Sequence, residues 1–274
     1  MNQRKQQKMY KLLALDIDGT LTNDDKVIPA ETVDAIIKLQ KRGCKIVLAS
    51  GRSEYGLMHL AKELKLSEYG GYLMSFNGGR ITECSRSKII YDVPLSLEEA
   101  KNIYLTAVEY GVGILGYEKN CLVSGNGIDK YQEDDAWACR MQLKAVDNFP
   151  DYFSVPFNKC LLTGDPERMK DVVIPVREKY GDRLSITMSE PFFIDIMPNG
   201  VDKGTAMKNL SELTGIEREE IVCVGDGRND LSMIEYAGLG VAMGNAHPDV
   251  IEKADYVTDS NNDNGVLKVI NKFF

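Results

Sequence analysis

Asp16-Ile17-Asp18-Gly19-Thr20-Leu21 follows directly on the apolar run Leu12-Leu13-Ala14-Leu15, and the reading of that junction decides the fold. Four apolar residues bounded by Lys11 and Asp16 are what a strand buried on both faces looks like. Two carboxylates at the carboxyl end of such a strand stand where open α/β sheets place their ligands. Like charges about 4 Å apart repel by roughly 4 kcal/mol at an effective dielectric of about 20, so a buried pair must share a proton or hold a cation. Oxygen donors of this kind suit a hard ion such as Mg²⁺. Gly19 lets the chain turn sharply off the strand, and Thr20 can hydrogen-bond back into the loop. The same residues also suit an ordinary strand followed by an Asx-turn, so other stretches must decide between the two.

Downstream, Thr22 to Pro29 is polar and reads as a small flap or hairpin. Pro29 precedes a helical pattern over 30–42, with Val33, Ile36, Ile37 and Gln40 at three-to-four spacing and Gly43 as its stop. A second buried strand, Lys45-Ile46-Val47-Leu48-Ala49, ends in Ser50-Gly51-Arg52, which completes a βαβ outline. The Ser50 hydroxyl and the Gly51 amide therefore leave the same sheet edge as Asp16. They can hold an anion at the start of the helix beginning near Ser53, or Ser50 can simply cap that helix. Helix 54–66 and strand 72–75 follow, closing on Phe76-Asn77-Gly78-Gly79. Here Asn77 and Gly78 form a hairpin turn, or Asn77 touches a ligand.

From 84 to 190 the character changes. Short strands at 89–91, 113–116, 121–123, 159–162 and 184–188 alternate with helical patterns at 97–110 and 166–180. None of these strands ends in an acidic, Gly-rich turn. The segment reads as an inserted α+β domain, with linkers near 81–87 and 188–192, between a first domain part (1–83) and its continuation (191–274). Tyr117, Tyr131 and Trp137 in the insertion are either core, surface or the lining of a substrate pocket.

The first domain is expected to resume with strand 193–197. Val201-Asp202-Lys203-Gly204 then opens a helix running to Leu213, with Asp202 as its N-cap. A cation in a first helical turn opposes the helix dipole unless an anion sits in front of it, so Lys203 points to a bound phosphate or carboxylate. Ile221-Val222-Cys223-Val224-Gly225 is a further buried strand, closed by Asp226-Gly227-Arg228-Asn229-Asp230, a second acidic turn of the same design as the first. A helix over 231–236, strand 240–243 with Gly244-Asn245-Ala246, a helix from His247 to Ala254, a short strand 256–258 and a terminal helix complete the chain. The expected class is α/β: a doubly wound parallel sheet with an inserted α+β domain.

The 274 residues are 43% hydrophobic and 27% charged, the composition of an ordinary globular protein. A formal charge of −8 gives no electrostatic support for a nucleic-acid or anionic-membrane partner. The one basic cluster, Arg4, Lys5, Lys8 and Lys11, reads as a solvated tail. No leader or membrane-spanning run is visible, so a cytoplasmic location is expected. Six cysteines without a CxxC pair read as reduced core thiols, and His59 and His247 belong to no acidic cluster. No seam or exposed stripe marks an oligomer interface.

In a doubly wound sheet the ends of these strands meet on one face. That gathers Asp16, Asp18, Asp226 and Asp230 with Ser50, Asn229 and Lys203, a cluster of carboxylates that needs a cation. The order DIDGTL, ASGR, long insertion, VDKG, VGDGRND resembles the haloacid dehalogenase superfamily of phosphotransferases, and within it the Cof-type phosphatases with a large inserted cap. The resemblance implies a Rossmann-like core and a Mg²⁺-dependent phosphatase of small phosphate esters, such as sugar phosphates or cofactor phosphates. It implies Asp16 as the nucleophile that forms an aspartyl-phosphate, and Asp18 as the acid and then the base. It further implies Mg²⁺ held by Asp16, the Asp18 carbonyl and Asp226, with Asp230 behind them. Ser50, Gly51, Lys203 and Asn229 would hold the phosphoryl group, with Arg52 and Asn77 as further substrate contacts. A phosphomutase of the same superfamily and a non-catalytic module that binds a phosphometabolite are the competing readings.

Overall fold

Leu12–Leu15 forms the first strand, β1, of the computed structural model, which describes residues 10–274. All four side chains are fully buried, as a strand covered on both faces requires. The helix Ala30–Lys41 carries the chain over to β2 (Lys45–Ala49), which lies parallel to β1, and β3 (Tyr72–Ser75) adds parallel to β2. The chain then reverses into β4 (Arg80–Glu83), antiparallel to β3, and β5 (Lys88–Asp92) completes that edge. A second, six-stranded sheet follows, made of β6 (Gly113–Glu118), β7 (Cys121–Ser124), β8 (Gln142–Ala145), β9 (Cys160–Thr163), β10 (Leu184–Glu190) and β11 (Phe193–Pro198). The chain returns to the first sheet through β12 (Ile221–Gly225), β13 (Leu239–Ala242) and β14 (Tyr256–Val257).

The first sheet has the order β14-β13-β12-β1-β2-β3-β4-β5, parallel from β14 through β3. It grows outward from β1 on one side and from β12 on the other, so β1 and β12 flank the topological switch point, where such sheets open a crevice. Leu12, Ala14, Val47, Ala49, Ile221 and Cys223 pack with Met207 and Leu210 of the helix Lys203–Thr214 and Met233 of the helix Leu231–Tyr236. Leu13, Leu15, Ile46 and Leu48 point to the other face and are equally buried.

The second sheet, β10-β11-β9-β6-β7-β8, is antiparallel except for the β7–β8 pair. The helices Leu97–Glu109 and Pro166–Tyr180 contribute Ile103, Ala107, Met169, Val172 and Val176 to a core shared with Ile114, Leu162, Ile194 and Ile196. The described chain packs as two units. One takes the chain up to Gly51, His59–Tyr91 and Asp202–Phe274, and the other takes Arg52–Met58 and Asp92–Val201.

Two strands lie in the other sheet from the one expected. The strand read at 89–91 as part of the insertion is β5 of the first sheet, and the strand read at 193–197 as the resumption of the first domain is β11 of the second. Connection length decides both. Only two residues separate β10 from β11, too few for the crossover that a parallel sheet demands, and four separate β4 from β5. The segments read as linkers near 81–87 and 188–192 are therefore largely strand and hairpin.

Arg4, Lys5 and Lys8 of the basic cluster lie outside the described residues, while Lys11 pairs with Glu220 at 2.6 Å. All six cysteines are free thiols, and burial raises Cys44 and Cys139 to about 12. Among the described residues no helix is long and apolar enough to cross a membrane. Trp137 is 80% exposed, Tyr117 is buried and Tyr131 stacks on Phe192, so the three aromatics of the insertion do not share one environment. His247 caps the short helix Pro248–Lys253, and its main-chain N–H donates to the Asp226 carbonyl.

Candidate active site

β1 ends at Leu15, and the Asp16 N–H still donates to the Val224 carbonyl of β12 at 3.0 Å, so the switch point sets Asp16 beside the turn after β12. That turn closes on itself. Asp230 accepts at Oδ2 from the main-chain N–H groups of Asp226 (3.0 Å) and Gly227 (2.9 Å), which draws the loop into a single helical turn. Asp202 caps the helix Lys203–Thr214 by accepting from the N–H groups of Gly204 and Thr205. The helix start can approach the turn because residue 204 is glycine: a Cβ there would sit 2.4 Å from the Ser232 carbonyl oxygen.

The Lys203 ammonium, with no exposed surface, is shared between Asp16 Oδ1 and Asp230 Oδ1, each at 2.6 Å. Asp226 completes the group, its Oδ1 taking the Thr20 hydroxyl at 2.6 Å. One oxygen from each of Asp16, Asp226 and Asp230 lies within 4.8 Å of the others. Three carboxylates thus face one ammonium in a buried place. Burial, then the charges of Asp230 and Asp226, push the Asp16 carboxyl well above its ordinary range against the pull of Lys203. Burial and the Asp230 charge push Asp226 up to about 6, although the Thr20 hydrogen bond opposes them. Burial disfavours the Lys203 ammonium, yet Asp16 and Asp230 beside it outweigh that and hold its proton more tightly than usual. The surplus negative charge and the all-oxygen donor set fit a hard divalent cation.

The remaining expected residues divide. Ser50 is buried at the end of β2, and its carbonyl accepts from the Asn77 N–H at 2.9 Å. Asn229 Nδ2 donates to Asn77 Oδ1 at 3.0 Å. Asn77 therefore connects Ser50 to Asn229 across the turn after β3, a turn that holds Phe76 and Asn77 at positive φ (53° and 51°). The Asp18 carboxylate stays outside the Asp16–Asp226–Asp230 cluster, half-exposed, with the Lys26 ammonium 2.9 Å from its Oδ1. Arg52 belongs to the second unit, where its guanidinium donates to the Ala138 carbonyl at 3.0 Å. Sequence reasoning missed Lys26 altogether and placed the Thr20 contact within its own loop rather than on Asp226. Only the positively charged residue in the polar 22–29 segment pointed to Lys26.

Residues 13–270 match the family model described as haloacid dehalogenase-like hydrolase. The chain belongs to that family. A crystal structure of a haloacid dehalogenase-like hydrolase from Bacteroides thetaiotaomicron superimposes with a TM-score of 0.93 at 38% identity, covering 97% of this chain and 100% of that one. The 5-amino-6-(5-phospho-D-ribitylamino)uracil phosphatase YcsE of Bacillus subtilis is 30% identical over 98% of each chain. A sugar phosphatase of haloacid dehalogenase subclass IIB matches with a TM-score of 0.81 at 26% identity, over 96% of this chain and 98% of that one. The protein is a phosphatase of this family, with the mixed core sheet and inserted second sheet of that subclass.

Beside the carboxylate cluster, Gly19 is a position that tolerates no side chain without strain. Its φ is +82°, and a Cβ would lie 2.4 Å from Asp226 Oδ2. Gly19→Ala is expected to cost roughly 1–3 kcal/mol from the backbone conformation alone. Because the clash falls on a carboxylate of the cluster, the variant is also expected to respond less to added Mg²⁺ than the unsubstituted protein. Thermal melts with Mg²⁺ and with EDTA check both effects; unchanged melting in each would show that the loop relaxes freely.

Proposed function

We propose that the protein is a Mg²⁺-dependent phosphatase of small-molecule phosphate monoesters, sugar phosphates or cofactor phosphates, and works through an aspartyl-phosphate on Asp16. The observation that carries this reading is the buried Lys203 ammonium held between Asp16 and Asp230 with Asp226 alongside. The substrate class draws on the relatives: one acts on a ribitylamino-uracil phosphate and another is a sugar phosphatase.

In the first half-reaction an Asp16 oxygen bonds to phosphorus while the ester P–O bond breaks, and Asp18 gives its proton to the departing alcohol oxygen. In the second, Asp18 takes a proton from water as the water oxygen bonds to phosphorus and the bond to Asp16 breaks. Inorganic phosphate leaves and both residues are restored. Asp18 suits proton exchange because its carboxylate stands apart from the buried cluster and reaches solvent. Lys203 offsets the repulsion between a carboxylate and a phosphate dianion and fixes the orientation of Asp16. Ser50, the Gly51 amide and Asn229 hold the phosphoryl oxygens, with Asn77 fixing Asn229. Mg²⁺, when held by Asp16, the Asp18 carbonyl and Asp226 with Asp230 behind, supplies further charge neutralisation at those oxygens.

Borohydride quenching during turnover tests the covalent step. Reduction of an acyl-phosphate should leave homoserine at position 16 in the peptide map, and an unmodified Asp16 under steady turnover would remove the aspartyl-phosphate reading.

The metal assignment carries a pH dependence. Asp226, raised to about 6, must lose its proton before it can take a cation. In the metal-free protein a raised carboxyl favours the fold below the unfolded pKa, and that contribution is lost as pH rises through the folded value. Added Mg²⁺ is therefore expected to raise the melting temperature fully above about pH 7 and progressively less as pH falls through about 6. Equal stabilisation at about pH 5 and about pH 8 would show that the bound ion does not compete with protons at this cluster.

A further inference from the structure

Two asparagines more than two hundred residues downstream grip the loop that carries Asp18. Asn245, in the turn after β13, donates from Nδ2 to the Gly19 carbonyl at 2.8 Å and accepts at Oδ1 from the Asn261 main-chain N–H at 3.0 Å. The second bond fixes the orientation of the amide, because only its oxygen accepts. Asn261 is buried and sends its own Nδ2 to the Thr22 carbonyl and to Asp24 Oδ1, both at 3.1 Å. Thr22 in turn donates through its N–H and its hydroxyl to the Ile17 carbonyl, each at 3.0 Å. The carbonyls on either side of Asp18 are thus both tied into one network. Asn262 extends it by pairing twice with Asp24, and that turn carries Lys26, whose ammonium meets Asp18.

The Asp18 side chain is 39% exposed and its ion pair with Lys26 is exposed as well. The hydrogen bonds to the Ile17 and Gly19 carbonyls hold the backbone on both sides of Asp18, and with it the direction in which the carboxyl group leaves the loop. We propose that Asn245 and Asn261 are positioning residues that set the aim of Asp18 for proton transfer to and from the reacting oxygens. The proposal rests on the reading of Asp18 as acid and base given above. A purely structural role for the two asparagines would hold the fold without favouring one ester over another.

The test compares kcat/KM for a simple alkyl phosphate, whose alkoxide leaves only with a proton, and for p-nitrophenyl phosphate, whose phenolate needs little help. Asn245→Ala is expected to lose roughly ten- to a hundredfold on the alkyl ester and no more than about threefold on the aryl ester, with an unchanged melting temperature. Asn261→Ala should show the same selectivity. Its side chain is buried, so if it fails to fold, Asn245→Ala decides alone, its side chain being exposed. Equal losses on the two esters, or none on either, would overturn the proposal. Asp18→Asn is measured alongside: if that variant shows no greater loss on the alkyl ester, the acid role of Asp18 fails, and the failure is not that of the asparagines.

Discussion

Asp16→Asn is expected to lose at least ~10⁴ in kcat on every phosphate monoester while melting no lower than the unsubstituted protein in EDTA. An amide oxygen does not form the bond to phosphorus, which accounts for the first half. The second half follows from the charge balance of the site. Three carboxylates face one ammonium there, and burial with the neighbouring charges of Asp230 and Asp226 raises the Asp16 carboxyl. A carboxyl raised in the fold contributes stability below its unfolded pKa, and that contribution is lost as pH rises through the folded value. Ionising Asp16 in the metal-free protein therefore strains the fold, and a neutral amide of the same shape avoids that strain. The amide oxygen still accepts from Lys203, which also keeps Asp230. Phosphate release and thermal melts check the two halves separately. A variant retaining a tenth of the activity would remove Asp16 as nucleophile, and one that unfolds in EDTA would show that Asp16 is needed ionised to hold Lys203.

The carboxylates of this cluster were legible because each lies in a turn after a short, fully apolar strand. β1 and β12 read plainly as buried parallel strands, and a doubly wound sheet leaves their carboxyl ends in one place. The pairing of β5 and β11 was not legible from periodicity, which marks a strand without naming its neighbour. The two-residue turn between β10 and β11 was the better guide. The helix Lys130–Cys139 went unread for a different reason. Its polar Gln132 points inward to the Thr163 hydroxyl while its Trp137 faces solvent, so the usual apolar stripe is inverted. Asn77, Asn245 and Asn261 illustrate the remaining gap. Asparagines in turns are common for local reasons, and what distinguishes these three is long-range hydrogen bonding that only the folded chain displays.

Lys203→Met is expected to lower both activity and stability, in contrast to Asp16→Asn. The side chain is fully buried, and its ammonium is the only positive group bonded to Asp16 and Asp230 among the described residues. Methionine fills the same space without charge, which leaves the Asp16, Asp226 and Asp230 carboxyls facing one another. Removing one partner of a buried ion pair costs about 3–5 kcal/mol. In a chain of this size that lowers the melting temperature by roughly 10 °C. Turnover should fall by about 10²–10³-fold, the range seen when a fixed charge or donor aimed at a reacting oxygen is lost. Adding Asp230→Asn to the variant removes one of the stranded carboxylates, so it should recover part of the lost melting temperature while leaving turnover as low as before. A first-turn lysine that merely reached solvent would instead change stability by no more than about 0.5 kcal/mol on substitution. That outcome would place the ammonium away from the carboxylates and break the link between Asp16 and Asp230 on which the proposed chemistry depends.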